Sequence, residues 1–196
     1  MLWVILLFLL ILPPSLFVRA NAQVGESLNG CSPDQFSLIM PTTQLNYAAG
    51  CQTYTRCVDE GVALQTCQMR AFMTLRQACP DGSCEIEAAL YAAVMPLFDI
   101  DYFSVYLWDG NPEAVWERVL LALSSFQNGN DLDAVSLFRA SNLDGYINPV
   151  FSISMGLIYG HMGEQDRAMA EYDHAVELMY SVPLTYYLRG HLYLSQ

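Results

Sequence analysis

The sequence predicts an all-α protein, a short right-handed α-solenoid of stacked helix pairs preceded by a disulfide-linked helical segment. Three observations predict it. Apolar residues recur at helical spacing between residues 43 and 94, a pattern of small and aromatic residues repeats every 34 residues from residue 115, and all six cysteines lie between residues 31 and 84 behind an apolar leader.

The chain has 196 residues, enough for one medium domain or two small ones, and 54% of them are hydrophobic, ample for a packed core. It carries 8 Lys+Arg, all of them arginine, against 20 Asp+Glu, for a formal net charge of −12. A polyanion would be repelled, which argues against nucleic acid as a partner. The acids stand in ones and twos, the pattern of a solvated surface rather than an acidic tail.

Residues 2 to 18 form an uncharged apolar stretch broken by Pro13 and Pro14 and followed by Arg19, Ala20, Asn21 and Ala22. Small residues at 20 and 22 fit the A-x-A cleavage rule for an exported chain, so residues 1–22 are read as a signal peptide and the mature chain is expected to begin at Gln23. The alternative is a membrane anchor through residues 1–18, near the short limit for a span. Export into an oxidising compartment suits an even cysteine count. Cys31, Cys51, Cys57, Cys67, Cys79 and Cys84 are disulfide candidates, with fifteen connectivities open. No C-x-x-C occurs and the histidines lie far away in sequence, so neither metal nor cofactor is expected.

Residues 23–110 read as a Cys-rich helical segment. Tyr47, Cys51, Tyr54 and Val58 share one helical face, and Leu64, Cys67, Ala71, Leu75 and Ala78 share another, with Gly61 as the break between them. A hairpin about Gly61 brings Cys57 towards Cys67, the local pairing to test first. The run from Cys79 through Pro80, Asp81, Gly82 and Ser83 to Cys84 is a turn, after which residues 85 to 94 read as a helix ending near Pro96. Phe98, Tyr102, Phe103, Tyr106 and Trp108 then crowd together, as expected of a plug between two subdomains.

Asn111, Pro112 and Glu113 supply a cap, a first-turn proline and an early acid, so a helix starts there. From here the chain repeats itself. Gly156, Tyr159, Gly163, Ala168, Tyr172 and Ala175 are preceded at 34 residues by Ala122, Ser125, Gly129, Ala134, Phe138 and Ser141, and Gly190 and Tyr193 continue the series. Two helices approach closely only where facing side chains are small, and the aromatic rings fill the gaps beside them. Ala88 and Tyr91 extend the match one period upstream as a hint of a further repeat. The spacing resembles the tetratricopeptide repeat, over 115–148, 149–182 and a half-repeat 183–196.

That resemblance implies a concave groove, lined by the first helix of each repeat, that holds a partner's peptide. The groove residues would be Trp116, Val119, Leu123 and Phe126, then Val150, Ile153, Leu157 and Gly160, then Leu184, Tyr187, His191 and Leu194. They are almost all apolar and include no lysine or arginine, which disfavours capture of a terminal carboxylate and favours an extended apolar segment flanked by bases. The competing reading is a groove filled by the chain's own aromatic residues around 98 to 108.

Nothing in the sequence resembles a catalytic constellation, with no G-x-S-x-G, no H-E-x-x-H and no phosphate-cradling glycine loop. Asp99 with Asp101 and Asp131 with Asp133 lack the rest of a calcium loop. His161, His174 and His191 are explained by packing or exposure. The expected function is therefore extracytoplasmic protein binding or scaffolding without chemistry. The alternative is a secreted effector or inhibitor whose cysteine segment carries the activity. Deleting residues 23 to 110 should separate the two readings, and reduction should melt the cysteine segment before the repeats. Leu184, Tyr186, Tyr187, Leu188, Leu192, Tyr193 and Leu194 crowd the half-repeat, so either a longer chain has been cut or, the favoured expectation, that side meets a partner's helix or another copy of this chain.

Overall fold

The computed structural model describes residues 46–98, 112–143, 148–179 and 182–194. These residues form eight α-helices, a short 3-10 turn at Met95–Phe98 and no strand. In chain order the helices are α1 (Tyr47–Asp59), α2 (Leu64–Arg76), α3 (Glu85–Val94), α4 (Pro112–Gln127), α5 (Asp131–Leu143), α6 (Pro149–His161), α7 (Gln165–Leu178) and α8 (Pro183–Leu194). The leader and the aromatic stretch at 99–108 lie outside the described residues.

Helix boundaries follow the local chemistry. The Asn46 side chain accepts from the Ala49 N–H at 3.1 Å to cap α1, and the Asn148 side chain accepts from the Val150 N–H at 2.9 Å ahead of Pro149, the first residue of α6. Three hairpins then close in one way. Gly61, Gly129 and Gly163 each have φ near +75°, at 74°, 76° and 76°. At each, the next residue's N–H reaches back five residues, from Val62 to Cys57, Asn130 to Ser125 and Glu164 to Tyr159. The glycine's own N–H reaches back three, to Val58, Phe126 and Gly160. This is the Schellman arrangement, which satisfies the last helical carbonyls and requires a left-handed residue at the glycine position.

The hairpins α1–α2, α4–α5 and α6–α7 are close pairs, and α5 packs on α6. Small residues sit where helices meet. A Cβ at Gly156 would come within 2.5 Å of the Tyr172 ring, and one at Gly50 within 2.6 Å of Leu75. Ala168 and Ala175 are completely buried. The 34-residue spacing of small residues therefore marks real close contacts.

Cys57 is disulfide-bonded to Cys67 across the Gly61 turn, with Cα atoms 5.4 Å apart, as the hairpin implied, and Cys79 is bonded to Cys84 across the turn before α3. Cys51 is disulfide-bonded as well, and no described cysteine is free. Among the described residues no helix is long and apolar enough to cross a membrane.

The largest departure from expectation is how the cysteine segment meets the rest. One buried core runs continuously from Tyr47 to Leu188. α3 packs on α2 and α6, and α8 packs on α7 and also on α2. The upstream match at Ala88 and Tyr91 lies on α3, whose close neighbours among the described helices are α2 and α6 rather than α4, and the second helix of a further pair would fall outside the described residues. The reason is composition: residues 88 to 94 are apolar all round and every one is buried, and a helix with no polar face must be enclosed on all sides.

Candidate functional site

The residues named for a peptide groove fall into two groups. Trp116, Val119, Leu123, Phe126, Val150, Ile153, Leu157 and Leu184 are all buried within the chain, from 0% exposed at Val119 to 8% at Phe126. They belong to the core, and of them Leu157 also edges an open cleft. α3 accounts for part of this burial, because it lies along α6. On its other side α3 is tied to α2 by the Gln68 side chain, which donates to the Ala93 carbonyl at 2.9 Å, and to α1 by Tyr47, whose ring centre is 4.7 Å from that of Tyr91. The competing reading, a groove filled by the aromatic residues around 98 to 108, falls almost wholly outside the described residues, while α3 lies against α6. Leu194 is 90% exposed and lines nothing.

Tyr187 and His191 behave differently. They sit on the face of α8 that looks towards α2 and α3. The Tyr187 ring packs on Phe72 and lies under the Arg76 guanidinium, and its hydroxyl donates to Glu85 at the start of α3. His191 stacks beside Tyr187 and stays exposed.

Where α3 begins, α6 ends and α8 passes, the packing opens into a cleft of about 390 Å³. α3 and its preceding turn contribute Gly82, Glu85 and Ile86, α6 contributes Leu157, Gly160 and His161, α7 contributes Gln165 and Tyr172, and α8 contributes Leu188, His191 and Leu192. The floor is apolar and the mouth polar, the usual composition of a site that grips an apolar group and reads a polar one beside it. Gly160 keeps the floor open, since a Cβ there would touch only the Ala168 Cβ, at 3.9 Å.

The polar groups at the mouth are held in place. Glu85 accepts from the Tyr187 hydroxyl through Oε1 and pairs with the Arg76 Nε at 3.5 Å through Oε2. Burial, with the Glu85 hydrogen bond, lifts the Tyr187 phenol above its ordinary value while Arg76 opposes. His161 Nδ1 lies 3.0 Å from Asp131 Oδ2, and its ring meets Phe126 edge-on. Glu87, in the first turn of α3 two residues after Glu85, has its carboxyl pushed up by burial, with His161 pulling it back down. Glu85 thus lines the cleft itself, while Glu87 and Asp131 act on His161 at its edge.

Sequence reasoning named Leu157, Gly160 and His191 as groove residues and His161 only as a position on a repeat helix, and it did not single out Glu85 and Ile86, or Gln165, for the site. A signal existed for the first two, because an apolar helix directly after a disulfide-closed turn must be covered by something. No group of three or more His, Cys, Asp or Glu able to hold a metal occurs among the described residues. Asp131 and Asp133 lie in the first turn of α5, and Asp99 and Asp101 lie outside the described residues. No family model, curated protein or solved structure matches this chain.

Proposed function

We propose that the protein is an extracytoplasmic protein-binding or scaffolding module of tetratricopeptide-like helix pairs. The observation that carries the reading is the cleft between α3 and the helices α6 to α8, apolar below and polar at its mouth, where Leu157, Gly160 and His191, expected to meet a peptide, line an open space. The disulfides of the cysteine segment and the apolar leader with its A-x-A site support the extracytoplasmic setting. The cleft takes residues from both the cysteine segment and the repeats, so deleting residues 23 to 110 would strip the core rather than separate a binding part from a support. The exposed stripe Tyr186, Gly190, Tyr193 and Leu194 on α8 is a second contact surface, for another copy of this chain.

The test uses the oxidised full chain with a photo-cross-linking residue at His191, on the rim of the cleft, or at Glu177, on the exposed face of α7. A protein cross-linked from the extracytoplasmic fraction at 191 and not at 177 supports the reading. Equal yields at both positions, or none at either, overturn it.

A further inference from the structure

We propose that the cleft between α3, α6 and α8 recognises a basic apolar segment, a leucine-like side chain inserted over Gly160 with an arginine beside it at the Glu85 carboxylate. The inference rests on the protein-binding reading and names the partner chemistry of that site.

Shape argues for the apolar part. Ile86, Leu157 and Leu192 bound a space of about 390 Å³, large enough for one or two aliphatic side chains and closed at the back by the Tyr172 ring. Tyr172 is itself buried against Gly156, so the back wall is rigid. Apolar groups placed there leave water on contact with existing walls, without rearranging the core.

Charge argues for the arginine. The carboxylate of Glu85 is 17% exposed at the mouth, and each of its oxygens has one partner, from Tyr187 and from Arg76. A carboxylate has about four lone-pair sites, so it can take a planar guanidinium as well. Glu87 and Asp131 add negative charge nearby, and Asp131 fixes His161 at 3.0 Å. The chain as a whole carries −12, which draws a cationic segment in and repels an acidic one. Arg76 stands beside the site, and it is already engaged by Glu85 and by the Tyr187 ring at 5.6 Å.

Three capped pentapeptides serve as probes of the oxidised chain: Gly-Leu-Arg-Leu-Gly, Gly-Leu-Glu-Leu-Gly and Gly-Ser-Arg-Ser-Gly. The first should bind at least about tenfold tighter than either of the others, and its advantage over the acidic peptide should shrink as salt rises. On the unmutated chain it should shift the ring signals of His161 and His191 and leave His174, on the far part of α7, in place. Gly160→Leu should abolish binding by filling the floor. Glu85→Gln should weaken the arginine peptide about tenfold, and Glu177→Gln, which removes an equal charge on the exposed face of α7, should not. Thermal melts of each variant show which are folded, and the histidine signals decide the matter if Gly160→Leu is not. Equal affinity for the arginine and glutamate peptides, or binding without movement of the His161 and His191 signals, overturns the inference. If those results come with specific cross-linking at 191, the protein-binding reading stands and only the partner chemistry falls. If cross-linking fails too, both fall.

Discussion

The Tyr187 hydroxyl, on the last described helix, donates a 2.7 Å hydrogen bond to Glu85 at the start of α3, 102 residues earlier in the chain. The bond joins the end of the helix array to the cysteine segment, and the same ring rests on Phe72 of α2. Tyr187→Phe keeps the ring and removes the donor, and should cost about 1 kcal/mol. Tyr187→Ala also loses the Phe72 and Arg76 contacts, and should cost about 2 to 3 kcal/mol. Urea unfolding of the two variants checks this, and equal losses would mean that the ring contacts carry nothing.

Because α1 to α3 share one core with the later helices, breaking a disulfide should weaken the whole chain. Replacing Cys57 and Cys67 together by alanine should lower stability by about 2 to 5 kcal/mol. Unfolding should remain a single transition when followed both by far-ultraviolet dichroism and by tryptophan fluorescence, whose sources in the described helices include Trp116 of α4. Two separate transitions would restore the expectation from sequence that the cysteine segment melts first.

Close helix contacts make three substitutions diagnostic. Ala168→Leu and Gly156→Ala both push into the buried Tyr172 region and should each cost about 1 to 3 kcal/mol. Arg167→Leu, next in the chain to Ala168 but exposed and paired with Glu164 at 2.7 Å, should stay within about 0.5 kcal/mol of the parent. Thermal melts compare them directly, and similar shifts for Ala168→Leu and Arg167→Leu would refute the packing register of α7.

Glu171 on α7 has its carboxyl raised above the ordinary 4.5 by burial, with Arg139 and His174 opposing. The folded chain then keeps this proton at a pH where the unfolded chain has released it. Its contribution to stability is full below about pH 4.5 and declines as pH rises through the folded value. Glu171→Gln should remove that decline, so the variant gains on the parent between pH 4 and pH 8. Parallel stability curves for the two proteins over that range would exclude a burial cost at Glu171.

The exposed stripe on α8 predicts concentration-dependent association, since Tyr186, Tyr193 and Leu194 are 47%, 59% and 90% exposed. Tyr193→Glu should return the chain to monomer in sedimentation velocity. A parent that is monomeric at every concentration would show that the stripe is only surface.

Local structure was legible in the sequence, and long-range packing was not. The Gly61 turn and the Cys57–Cys67 pair followed from residues close together in the chain, as did the bounds of α3, set by the turn before it and Pro96 after it. The closeness of Gly156 to Tyr172 followed from the 34-residue repetition. What could not be read was where α3 would go. Helical periodicity shows which face of a helix is apolar, but residues 88 to 94 of α3 are apolar on every face, so their pattern points nowhere. The site inherits that blindness: Glu85 reaches Tyr187, and His161 reaches Asp131, only because separate helices converge, and no spacing in the sequence encodes those meetings.

The contacts α2–α3, α3–α6, α6–α7, α7–α8 and α8–α2 close on themselves. In an open row of repeats, folding can start anywhere and spread between neighbours. Here the circuit is complete only when α8 reaches α2, and Gln65 meets Met179 across 114 residues. Such distant pairings raise the mean sequence separation of contacts, which slows folding because a long loop must be ordered before its contacts repay that cost. A chain emerging from its ribosome therefore holds the apolar α3 unenclosed until α6 has followed it, and cannot seat Tyr187 on Phe72 until α8 is made.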